Sequence, residues 1–301
     1  MRGLRFESSC LRGVILWALA VLSQPALAFD CPQHFWQGMP PIVTRPALLD
    51  SSFELCHAGQ ATLYSAKSRT PLWSAEYLDR SRLAAAATLS RTNDFHEDEL
   101  VPVESRSTLA DYRGSGFDRG HLAPNGDMGT RDQQFDSFAL SNIVPQNRIH
   151  NQGVWRKLEE ATRALVKQRD AAYVVTGVVF ETDTLSMAGS VLVPTALYKA
   201  VYFPGQQQAA AYWSPNDARG QVTVLSLTEL ERRTGIVVMP GIGKTIRDRA
   251  MPLPLDARSP RSIVRESGQQ DTLRRIPNDP FYWPARDALL YLLRKLKMMV
   301  D

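Results

Sequence analysis

The chain has 301 residues, 44% of them apolar and 22% charged, with 18 Gly and 19 Pro. That composition excludes a fibrous repeat or a disordered tail and allows one large domain or two small ones, each with a sizeable core. The net charge of +4 is mild: it permits an anionic partner without demanding one, because binding depends on how the cations cluster.

At the N-terminus, Arg2, Arg5 and Arg12 precede an apolar run from Val14 to Leu22, followed by the small-residue triplet Ala26-Leu27-Ala28. This reads as a signal peptide, residues 1–28, cut after Ala28. The alternative, a membrane anchor, fails because the run is too short for about 30 Å of hydrocarbon and Pro25 breaks it. Cleavage removes three Arg and one Glu, leaving a charge of +2. The mature chain is expected to be periplasmic or secreted, with no membrane association. Cys31 and Cys56 are then the remaining cysteines, and an oxidising compartment favours a disulfide between them over two free thiols. The bridge ties down a Pro-rich arm.

From Phe29 to about Thr70 the chain reads as irregular, with short strand candidates at 61–65 and 71–77. Residues 91–112 are polar and read as a long surface loop. Leu140–Val144 reads as a strand ended by Pro145. From Asn151 to about Arg169 the pattern is an amphipathic helix, with Trp155, Leu158, Leu165 and Val166 on one side and Arg156, Lys157 and Arg163 on the other. Strands are predicted at 173–180, 197–203, 209–213 and 222–225, a short helix at 227–233 and a final helix at 287–298. Strands on short connections with few helices predict an α+β fold around a mainly antiparallel sheet, flanked by helices. No linker divides residues 29–301, so a single domain is expected, with 247–275 as a polar surface excursion.

The chemistry concentrates in Gly116-Phe117-Asp118-Arg119-Gly120-His121-Leu122-Ala123-Pro124, then Leu140-Ser141-Asn142-Ile143-Val144-Pro145-Gln146, then Asn151-Gln152-Gly153-Val154-Trp155-Arg156-Lys157-Leu158-Glu159. Of five histidines, His34, His57, His96 and His150 lack suggestive sequence neighbours and read as structural or solvated. His121 follows an acid, a base and a glycine. With a free pKa of about 6.5 it is mostly neutral at pH 7 and can take a proton from water. Arg119 offers a planar, permanently charged fork for phosphate oxygens. Asn151 is either a helix N-cap or an oxygen ligand for a hard cation such as Mg²⁺. Glu159 alone would be a solvated helix charge, although two turns on from Asn151 it overlooks the same surface.

Together these segments resemble the DNA/RNA non-specific endonuclease family, the ββα-metal nucleases that include mitochondrial endonuclease G. The D-R-G-H element, the L-S-N-I-x-P-Q strand and the N-Q-x-x-W-x-x-L-E helix match in order and spacing. The resemblance implies His121 as general base, Asn151 as magnesium ligand, Glu159 as the acid holding metal-bound water, and Arg119 as a phosphate contact. It implies Asn142 as an asparagine supporting the catalytic site, and Arg91 as a second phosphate-binding arginine. Asp118 reads as structural, paired with a nearby cation. DNA and RNA are the implied substrates and Mg²⁺ the cofactor, with Mn²⁺ able to substitute. Family members often dimerise, and the sequence leaves a homodimer open. Weaker likeness runs from Cys56 to Gly235 and misses 247–275 and the last helix. A rival reading is a catalytically inactive secreted nucleic-acid-binding protein on the same scaffold. Two other signals fail. Pro240–Thr245 lacks a P-loop's first glycine, Val238 standing in its place, and no histidines pair at zinc-ligand spacing.

Overall fold

Runs of β-branched and aromatic residues, broken by turn formers, set the strands. The computed structural model describes residues 29–181 and 185–257. A first meander comprises β1 (Ser52–Cys56), β2 (Ala61–Ser65) and β3 (Thr70–Asp79). Two short strands, β4 (Asp118–His121) and β5 (Ile143–Gln146), pair apart from it. A second meander comprises β6 (Ala171–Val179), β7 (Ala196–Phe203), β8 (Gln208–Pro215) and β9 (Thr223–Leu225). Antiparallel pairing of β3 with β6 fuses the meanders into a seven-stranded sheet of order β9-β8-β7-β6-β3-β2-β1. The fold is α+β, as expected.

The helices start where side chains satisfy free N–H groups. Asp79 caps α1 (Arg80–Ala86), Thr130 caps α2 (Arg131–Ser137), and Ser226 caps the helix at Leu227–Thr234. Between the last two lies α3 (Arg156–Arg169), which buries Leu158, Ala161, Thr162, Leu165 and Val166. The helix after it, α4, stops at Gly235, whose φ of 70° suits a left-handed cap.

Strand alternation gives the sheet two distinct faces. On one, Phe29 and Phe35 of the N-terminal arm pack on Trp73 at 5.3 and 6.1 Å, and Trp36 sits edge-on to Tyr173 and Tyr202. The opposite face, by alternation, carries Ser74 and Glu76 of β3 with Thr176 of β6 and Lys199 of β7, all buried. The ββα unit sits over this polar face, tied to it through Ser74 and through Lys199 beneath Trp155.

Three expectations change. The arm contains β1, whose alternation of Phe53 and Leu55 around exposed Glu54 spans too few residues to stand out in an irregular stretch. The polar stretch 91–112 is anchored, with Val101, Ser107 and Tyr112 buried and Tyr64 Oη donating to Ser105 O at 3.0 Å. The excursion assigned to 247–275 begins too early: Met251 and Leu253 are buried and Tyr212 Oη donates to Pro254 O. The leader 1–28, residues 258–275 and the 287–298 helix lie outside the described residues. Cys31 and Cys56 form a disulfide with Cα atoms 5.8 Å apart, closing 25 residues of chain between the arm and β1. Replacing both with Ser is expected to lower the unfolding free energy by about 3 kcal/mol. A urea titration with an unchanged midpoint would contradict this.

Candidate active site

The site is built on the β4–β5 ribbon, in which Asp118 faces Gln146 and His121 faces Ile143. Leu140–Asn142 form a 3-10 turn, and the strand runs through Pro145 instead of ending there. In a two-stranded ribbon each strand is an edge, so the missing N–H of proline is tolerated. Gly120 is obligatory, because a Cβ at this position would lie 1.9 Å from Gln146 Oε1. Gln146 is held in turn by His150. Ser214 Oγ gives its one hydrogen to Gln221 O at 2.6 Å, so His150 Nε2 donates to Ser214 at 2.9 Å and Nδ1 accepts from Gln146 Nε2 at 2.7 Å. Burial keeps His150 neutral, with its pKa lowered to about 4.

The helix after β5 begins earlier than its sequence pattern indicates. Asn147 Oδ1 accepts from the N–H groups of Ile149 and His150 at 3.0 and 3.2 Å. Asn147 is therefore the cap, and Asn151 is not. Asn151–Trp155 form a π-turn before α3, a widening frequent at functional sites. Asn151 Nδ2 donates to Asp118 Oδ2 at 3.0 Å, and Gln152 Nε2 donates to the same oxygen at 2.8 Å. Asp118 thus orients two amides where a paired cation was expected. Its acceptor fixes the flip of the Asn151 amide, leaving Oδ1 without a protein donor among the described residues.

His121 is nearly buried, with its ring 5.4 Å from Phe95 and 5.0 Å from Phe138. Its pKa is lowered to about 3, by burial first and then by Arg91 and Arg119. The imidazole is neutral, and its Nε2 has no hydrogen-bond partner among the described residues. Arg119 stacks on Phe95 and Arg91 on Phe138, 4.1 and 5.2 Å from the ring centroids. Glu159 of α3 feels a pKa rise to about 7 through burial, countered by Lys199, Arg163 and Arg91. His121, Arg119, Arg91 and Glu159 therefore share one electrostatic neighbourhood. Beneath it, burial and Asp127 push fully buried Glu76 up to about 8 against the opposing pull of Arg82.

Asn142 sits behind this group. Its Oδ1 accepts from Ser74 Oγ at 2.9 Å and Ala123 N at 3.0 Å, and its Nδ2 donates to Ala123 O and Ser137 O at 2.8 and 2.9 Å. With that capacity filled, Asn142 positions the ribbon and is not itself a reacting group. Two further brackets escape sequence reading. His57 Nε2 lies 3.0 Å from Asp98 Oδ2, and Ser141 Oγ donates to the same oxygen. His57 is therefore structural, one of the two roles its neighbours left open. Asn216 Oδ1 accepts from Asn147 N at 2.8 Å, while its Nδ2 donates to Pro145 O and Pro194 O. Only Ser141 carried a signal, by lying inside the L-S-N motif.

A family profile described as DNA/RNA non-specific endonuclease matches residues 46–244. The chain belongs to this family. Nuclease C1 of Cunninghamella echinulata var. echinulata is 37% identical over 194 residues, 58% of this chain and 77% of that protein. Mitochondrial endonuclease G of Bos taurus is 34% identical over 212 residues, 64% of this chain and 68% of that protein. The solved EndoG/EndoGI complex superposes a chain with a TM-score of 0.57 and 26% identity, covering 64% of this chain and 88% of the other. The protein is thus a nuclease, a phosphodiester hydrolase in a family of metal-dependent nucleases. No described helix of the nuclease is long and apolar enough to cross a membrane.

Because folding excludes a proton from His121, the stability this group contributes is complete above pH 6.5 and is lost as the pH falls towards 3. Wild type is expected to lose stability relative to His121→Ala across that window in urea titrations. In the metal-free protein, the imidazole NMR signals should stay those of the neutral ring down to pH about 4. A midpoint near the free value refutes the burial argument.

Proposed function

We propose that the nuclease is exported and hydrolyses DNA and RNA without sequence preference, with His121 as general base and Mg²⁺ on Asn151. One observation carries the reading: a neutral, buried imidazole flanked by two arginines shares a four-residue strand with the carboxylate that aims the Asn151 amide. That strand sets the backbones of Asp118 and His121 about 10 Å apart along one edge of the ribbon.

The residues fit a hard cation. Asn151 has its nitrogen committed and its oxygen free. Glu159 has a carboxylate with no hydrogen-bond donor among the described residues, suited to holding coordinated water. When bound, such a cation supplies charge stabilisation at the phosphoryl group and the leaving 3′ oxygen, and Mn²⁺ can replace Mg²⁺ in that role. The protein's own part is acid–base and electrostatic. Arg119 and Arg91 receive the phosphate oxygens. The incoming negative charge offsets the two cations that hold the imidazole's basicity down, so His121 becomes a stronger base when substrate is in place. It then takes the proton of the attacking water at a ring-nitrogen lone pair.

Export is supported by the leader's unbroken apolar run and by the Cys31–Cys56 bridge. The relatives named mitochondrial suggest a different address, but a transit peptide spaces its arginines along an amphipathic helix. Protein recovered from a producing cell should begin at Phe29 on N-terminal sequencing. Recovery with the leader intact would count against export. For the chemistry, His121→Ala should lower cleavage of plasmid and RNA roughly 10²–10⁴-fold while gel-shift binding persists. Asn151→Ala and EDTA should each remove metal-dependent cleavage. Near-normal cleavage by His121→Ala at neutral pH would sink the mechanism.

A further inference from the structure

Arg119 makes no ion pair and no side-chain hydrogen bond with a described residue. Its guanidinium carbon is held instead 4.1 Å from the centroid of the Phe95 ring. The same ring lies 5.4 Å from His121 and packs edge-on against Phe138 at 4.8 Å. A carboxylate in that place would neutralise Arg119 and compete with phosphate for its donors. A ring face attracts the cation through its quadrupole and leaves the N–H edge of the fork unpaired.

Phe95 comes from the irregular stretch before β4, so the ring's place needs separate fixing. His96 N donates to Phe138 O at 3.4 Å and its carbonyl accepts from Leu140 N at 2.9 Å. Two residues further on, Asp98 is gripped by Ser141, by His57 at 3.0 Å and by Leu100 N at 2.9 Å. The stretch is thereby pinned on the L-S-N turn of the site itself.

We propose that Phe95 is a positioning residue: its ring seats Arg119 in fixed relation to His121 and keeps the guanidinium edge open for the scissile phosphate. The inference rests on the phosphate role given to Arg119 above. It requires kcat/KM on a short oligonucleotide for wild type, Phe95→Leu, Phe95→Tyr, Arg119→Ala and the Phe95→Leu/Arg119→Ala pair, with thermal melts for each. Phe95→Leu should lower kcat/KM roughly five- to thirty-fold, and Phe95→Tyr should recover most of it. In the Arg119→Ala background, Phe95→Leu should add less than about twofold, since the ring acts through the arginine. Cyclohexylalanine at position 95 keeps the volume without the π-face, so it should behave like Leu even if the Leu variant folds poorly. Full additivity of the two substitutions, or wild-type activity with cyclohexylalanine, overturns the proposal. A silent Arg119→Ala removes the phosphate role and this inference with it, whereas loss of cleavage in His121→Ala would still uphold hydrolysis by the imidazole.

Discussion

The placement of the catalytic ribbon depends on one buried carboxamide. Asn142 links the sheet through Ser74, the end of α2 through Ser137, and the chain just after β4 through Ala123. A two-stranded ribbon is marginal by itself, and here it is fixed because every polar atom of that amide is engaged. Losing the side chain would strand several buried partners, each at a cost of about 1–3 kcal/mol. Since His121 immediately precedes the Leu122-Ala123 anchor, its orientation inherits the rigidity of the sheet.

The sheet gives the ribbon an unusual floor. Glu76 and Lys199 are buried side chains on one face, and Lys199 Nζ donates to Thr176 Oγ1 at 2.6 Å. Arg163 pairs with Asp127 at 2.8 Å and Arg82 reaches Glu76 at 3.5 Å. Buried pairs of this kind contribute little net stability, because desolvation offsets attraction. Their consequence here is electrostatic. They place cations near Glu159 that partly counter the rise burial imposes on its pKa, while burial and the two arginines keep the His121 imidazole uncharged. Burial thus disfavours the charged form of both groups, raising the carboxyl and lowering the imidazole.

Much of this was legible in the chain. The strand at Ala61–Ser65 and that at Leu197–Phe203 announce themselves through β-branched and aromatic residues between turn formers. The D-R-G-H and N-Q-x-x-W segments pointed to His121 and Asn151 through their resemblance to the family's motifs. What sequence misplaced was the helix start. Asn147 and Asn151 both suit a cap, and only the structure shows the first doing so and the second released to Asp118. The grip on Asp98 was invisible because Ser141 lies 43 residues away. Short, Ala-rich α1 lacks the apolar period that would have revealed it, and β1 offers only one short alternation, Phe53-Glu54-Leu55.

The wide turn at Asn151–Trp155 has a consequence for how such a site can vary. It lies between the cap at Asn147 and the regular helix, so the angle between the carboxamide and the buried face of α3 departs from that of an unbroken α-helix. An ordinary helix couples them, since each residue turns its neighbours by about 100°. Here the π-turn alters that spacing, and at Gly153 within it a Cβ would meet open space. A side chain at that position would therefore be accommodated outside the core, leaving the buried face of α3 undisturbed.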